Sequence, residues 1–119
     1  MKKYSIEISR LDYEIINLVK ELREKKKISQ RDLSELMGLS KSFVGKVEAL
    51  GQPDKYSIRH LTLITKALKL KSLKDLLPKE IPAEDIVEII YEKVPKLNKD
   101  GSESKQLEER VIEIRAVEI

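Results

Sequence analysis

Hydrophobic positions in the first two-thirds of the chain recur with a helical period. Leu11, Ile15, Leu18, Val19 and Leu22 share one face, which predicts a first helix over roughly residues 10–26. Ser9 with Asp12 three residues on has the form of a capping box, and lysines 25–27 sit where cations complement a helix C-terminus. Ser29 then opens a second helix with Leu33, Leu36 and Met37 inward, and Gly38 stops it. Ser40 is expected to cap a third helix carrying Val44, Val47 and Leu50, before Gly51, Pro53 and Asp54 break the pattern. Ser57 starts a fourth helix with Leu61, Ile64 and Leu68 inward. Ser72 with Asp75 opens a short fifth helix that ends before Pro78.

The period changes after Pro78. Ile81-Pro82 reads as a linker, and residues 86–94 and 111–119 are rich in β-branched side chains. Between them, residues 98–102 contain Asp-Gly, a hairpin-turn signal. The reading adopted is an antiparallel hairpin. A helix over residues 83–93 competes with it, because Pro82 suits a first helical position and Ile86, Ile89 and Ile90 fit one helical face. The hairpin is preferred because residues 111–119 need a strand partner. Alternation of Tyr4, Ile6 and Ile8 marks a further short strand in an N-terminal arm. The expected architecture is mainly α: an arm (1–8), a five-helix domain (9–78) and a C-terminal β-hairpin extension (79–119).

Residues 30–48 are the most informative stretch. Two helices that cross closely need a small residue midway along the first, a glycine at the turn and apolar residues on the inward face of the second. Ser34, Gly38 and the set Leu33, Met37, Leu39, Val44 and Val47 stand at those positions. With LREKKKISQRDLSELMGLSKSFVGKVE and the later HLTLITKALKL and SLKDLLP, the chain from Leu18 to Pro78 resembles the lambda-repressor and Cro-like, or XRE-type, helix-turn-helix regulators. It departs from their pattern at Ala49-Leu50-Gly51, where Asn-Gly is usual. The loop over residues 51–56 is also about two residues longer, which bears on that loop's phosphate contacts.

The resemblance implies a helix entering the major groove of double-stranded DNA, with Ser40, Lys41, Ser42, Gly45 and Lys46 toward base edges. Phe43 is expected to pack inward, with contact to a thymine methyl as the alternative. It also implies that Gln30 contacts the sugar-phosphate backbone. Ser29 and Arg31 flank Gln30 at a helix N-terminus whose free amides attract phosphate. Lys55, Tyr56 and Ser57 form a second expected phosphate clamp. Ser29, Ser40 and Ser57 are read first as N-caps, and Arg31 and Lys55 could equally be solvated surface charges.

Charge agrees with this division. Residues 1–78 hold 17 Lys+Arg against 10 Asp+Glu, a balance of +7, and residues 79–119 hold 7 against 11, a balance of −4. A basic part beside an acidic tail fits one region meeting a polyanion and another that does not. The tail is therefore expected to stay off the DNA and to act in homodimerisation, through Ile86, Ile89, Val111, Ile112 and Ile114, with a hairpin that simply packs on its own helical domain as the alternative. Catalysis is disfavoured: His60 is the only histidine, cysteine is absent, Glu108-Glu109 reads as solvation and no phosphate-cradling glycine loop occurs. No cofactor, metal, membrane or small-molecule partner is expected. With no apolar run of about 20 residues and no secretory signal, the expected compartment is the cytoplasm. A protein-binding use of the same fold, as in an antitoxin, is the alternative function.

Overall fold

A computed structural model describes residues 2–117. Strand β1 (Lys3–Ser9) runs directly into helix α1 (Arg10–Lys25), followed by α2 (Gln30–Leu36), α3 (Phe43–Glu48) and α4 (Ile58–Ala67). A 3₁₀ turn (Leu73–Leu76) and a linker lead to strands β2 (Ile86–Leu97) and β3 (Glu103–Ala116). The three strands form one antiparallel sheet in the order β1-β2-β3. Ile6 and Ile8 pair with Ile89 and Val87, and one face of β2 closes over the helices. The core joins Ile15, Ile16 and Val19 of α1, Leu33, Val44, Val47, Leu61 and Ile64 of the later helices, and Ile8, Val87 and Ile89 of the sheet.

The predicted α-helical dominance is corrected. Strands hold nearly as many residues as α-helices, and among the described residues there are four α-helices, not five. The fifth is a single 3₁₀ turn because only a few residues lie between the Ser72 cap and Pro78. Its bonds, Asp75 N–H to the Ser72 carbonyl and Leu77 N–H to that of Lys74, span three residues. The third helix starts at Phe43, so Ser40 does not cap it. Ser40 accepts the Phe43 N–H through its carbonyl (3.0 Å), Ser42 holds the N-cap position without a side-chain bond, and Leu50 lies beyond the helix end.

The hairpin exists and excludes a helix over residues 83–93, but it is longer than predicted. Its second strand begins at Glu103 rather than at 111, and the last two residues of the predicted strand lie outside the described residues. Apart from Leu107, residues 103–110 are polar, as suits an edge strand exposed on much of both faces. Pro95 is tolerated in β2 because the β1 ladder reaches only as far as Glu92, so its missing N–H costs no bond on that side. The predicted turn is present: Asn98 N–H donates to the Ser102 carbonyl (2.8 Å), with Gly101 at φ +89°.

Caps placed from sequence at Ser9, Ser29 and Ser57 accept the backbone N–H of Asp12, Asp32 and His60. At α4 the reciprocal group is an imidazole: His60 Nδ1 accepts the Ser57 N–H at 2.9 Å.

Candidate nucleic-acid interface

Helices α2 and α3 cross at Ser34, which is wholly buried. Its small side chain permits the close approach, and its hydroxyl joins the elements. The Oγ donates to the Gln30 carbonyl (2.9 Å) and accepts the Val44 N–H (3.0 Å), one of the amides a helix start leaves free. Gly38, at φ +76°, makes the turn that sends the chain back toward α3.

This crossing brings Gln30 and Arg31 of α2 beside Lys41 and Ser42 of the turn and Gly45 and Lys46 of α3. Together with Ala49 and Gln52 they line one open concavity of about 390 Å³. Six of the residues named from sequence therefore share a single face. Ser29 and Ser40 are exposed but do not line it. Among the described residues Arg31 is tied only to Glu35, at 3.1 Å, in an exposed i,i+4 pair of a kind that contributes little and yields readily to a phosphate.

Beneath the concavity lies a charged network that the sequence reading did not find. Arg23 of α1 meets Glu48 of α3 in a bidentate pair: Nε to Oε2 at 3.0 Å and Nη2 to Oε1 at 2.8 Å. Both side chains are under a tenth exposed. The remaining Arg23 nitrogen donates to the Ile28 carbonyl (2.9 Å), and Glu48 Oε1 also accepts from Gln30 Nε2 (2.9 Å). The pair thus orients the Gln30 amide at the rim. Gly45 leaves room for that amide, because a Cβ at this position would lie 3.2 Å from Gln30 Oε1 and the amide would have to shift by a few tenths of an ångström. One signal was available: Arg23 stands four residues after Val19, on the apolar stripe of α1, where a charge needs a buried partner.

The second expected clamp is corrected at Tyr56. Its side chain is buried against Phe43 and near His60, with ring centroids 6.0 and 6.5 Å away, and burial pushes its phenol well above the ordinary value. It therefore offers no surface to a phosphate. Lys55 donates to the carbonyls of Gln52 and Asp54, and Ser57 caps α4. Phe43 packs inward, as expected.

The sheet reaches this region. The Glu109 carboxylate of β3 accepts the Leu50 N–H just past α3 (3.0 and 3.2 Å). A second concavity of about 410 Å³ runs between α3 and the hairpin, lined by Gln30, Gly45 and Ala49 on one side and Lys93, Glu108 and Glu109 on the other. The acidic tail, expected to stay off the DNA, lies beside the helix that carries Lys46. Among the described residues no cluster of side chains could hold a metal ion, and no helix is long and apolar enough to cross a membrane.

This arrangement defines a helix-turn-helix fold with its second helix exposed at the front. Residues 19–76 match the helix-turn-helix family model, and the chain belongs to that family, of XRE type, through this segment. It is similar at 33% identity to the restriction-modification controller protein C.AhdI from Aeromonas hydrophila, over 54% of this chain and 92% of that one, with a TM-score of 0.47. Hydroxypropylphosphonic acid epoxidase from S. wedmorenis shares the fold alone, at 14% identity over 92% of this chain and 85% of that one, with a TM-score of 0.51. No curated protein matches the chain.

Proposed function

We propose that the protein is a sequence-specific double-stranded DNA-binding transcriptional regulator, a cytoplasmic repressor that acts as a homodimer. The observation that carries this reading is the convergence of Gln30, Arg31, Lys41, Ser42, Gly45 and Lys46 on one open face. In this reading α3 enters the major groove. Lys41 and Lys46 donate to guanine O6 and N7 or to phosphate, and Ser40 and Ser42 serve either base type. Gln30, held by Glu48, contacts the backbone at the N-terminus of α2, with Ser29 and Arg31 beside it. Lys55 and Ser57 supply the far phosphate contacts. The likeness to a controller protein is in keeping with regulation rather than catalysis.

One such domain makes few base contacts, so two copies joined through residues 79–119 would read two half-sites about 10 base pairs apart. Selection of bound sequences from a random duplex pool tests function and symmetry together. The expected product is an inverted repeat with that spacing. Failure to enrich any sequence would refute specific binding.

A further inference from the structure

The sheet ends on β3, and among the described residues nothing pairs with the outer edge of its 14 residues. Folded proteins cover, shorten or charge such an edge, because its free N–H and C=O groups invite another strand. Here the strand is charged at seven positions, yet apolar side chains stand exposed among them. Leu107, Val111 and Ile114 are 60%, 39% and 36% exposed. Pairing Val111 with Tyr91 and Ile114 with Ile89 places them on the face that β2 buries against the helices, but beyond the reach of those helices.

We propose that this edge pairs antiparallel with β3 of a second copy, about a two-fold axis perpendicular to the sheet that passes midway between the two strands at the level of Glu109. The proposal rests on the homodimeric reading above and gives it a surface and a register. An axis in this direction is the one that makes a two-fold antiparallel edge pair, and it matches residues of the same face, equally spaced from the axis. Through Glu109 it sets Glu108 against Arg110 of the second copy, and Leu107 against Val111 of the second copy, each twice. Opposed residues in such a ladder interact directly, and opposite charges or paired apolar groups favour the match.

Moving the axis by one residue spoils this. Through residue 108 it opposes two Glu108 carboxylates and sets Leu107 against Glu109. Through residue 110 it opposes two Arg110 guanidinium groups and sets Glu109 against Val111. The single like-charge meeting of the proposed register is at Glu109, whose carboxylate is already held by the Leu50 N–H of its own chain. The result is a continuous six-stranded sheet with both helical domains on the same side, so that two reading faces act together.

The chain has no cysteine, which makes cross-linking decisive. Opposed residues in an antiparallel pair have Cα atoms about 4.5–5.5 Å apart, within disulfide range. The full chain carrying Glu109→Cys, oxidised without DNA, should form a covalent dimer, whereas Lys105→Cys, several residues from its own copy, should not. If loss of the Glu109 contact impairs folding, the double variant Leu107→Cys/Val111→Cys should cross-link instead. In sedimentation, Glu108→Arg should weaken dimerisation about tenfold or more. A full chain that stays monomeric at high concentration, cross-linking at residue 105 but not 109, or a dimer indifferent to Glu108→Arg would each overturn the proposal. Because these readouts need no DNA, a monomer that binds duplex refutes the interface alone. A cross-linked dimer that binds no duplex refutes the DNA reading alone.

Discussion

In the helical domain most apolar side chains are spent inside, the main exceptions being Ile58, 77% exposed, and Leu36, which was expected inward and is 58% exposed. Val19, Leu33, Val44 and Ile64 are fully buried, and the charges that enter the interior, Arg23 and Glu48, are paired and hydrogen-bonded to their neighbours. The sheet is divided instead. Strand β2 buries Val87 and Ile89 completely, while β3 turns Leu107, Val111, Ile112 and Ile114 largely to solvent. One region is complete within a single chain. The other is complete on one strand and open on the next, so β3 contributes less to the fold of its own chain than its composition implies.

Substitutions should separate the two regions by magnitude. The largest expected effect is at Arg23→Met, which leaves the Glu48 carboxylate buried without its cation and should cost about 3–5 kcal/mol in urea unfolding. Replacing both partners with methionine should recover most of that loss, because no uncompensated charge remains. Next, Leu33→Ala should cost about 2–5 kcal/mol, whereas Leu107→Ala should stay within about 0.5 kcal/mol when measured on the monomer at low concentration. Equal losses at Leu33 and Leu107 would erase the contrast.

Smaller effects fall where the regions meet. Glu109→Ala removes the bond from β3 to the Leu50 N–H and should cost about 1 kcal/mol. Its clearer signature is faster amide exchange at Leu50, with the α1 core amides unchanged.

The smallest effect concerns pH. Burial first, and the Arg59 charge second, hold the His60 imidazole below its ordinary value of 6.5, and the neutral ring accepts the Ser57 N–H. The folded state thus binds the proton less readily than the unfolded state. The contribution is complete above pH 6.5 and is lost as pH falls from there through the lowered folded value. Thermal melts at pH 8 and pH 5 should show a small extra loss that His60→Gln abolishes, since glutamine can complete the same cap without titrating.

The elements that were legible in the sequence are those whose cause is local. Gly38 at the turn, Ser34 at the crossing, the caps at Ser9, Ser29 and Ser57, and the Asp-Gly hairpin turn each follow from a few neighbouring residues. What was missed depends on partners far along the chain. Arg23 and Glu48 are 25 residues apart, and although Arg23 lies on the apolar stripe of α1, nothing near it names Glu48 as its partner. Glu109 read as solvation because its partner amide is 59 residues away. The polar first half of β3 carries no apolar alternation because its faces are largely exposed, so the pattern that reveals a half-buried strand is absent there. Tyr56 misled in the opposite sense: its place before a cap and beside Lys55 pointed outward, while tertiary packing against Phe43 drew it in.

The central claim is that the face shared by α2 and α3 holds duplex DNA. The most direct test is the affinity of the full chain for a labelled duplex pool, measured by anisotropy across a range of salt concentrations. Counterion release predicts that log K falls linearly with log salt, with a slope of about −0.9 for each phosphate neutralised. Lys46→Ala should weaken binding and, where Lys46 meets phosphate, make that slope shallower by about one unit. No binding to any duplex at low salt, or binding indifferent to both salt and Lys46, would contradict the claim.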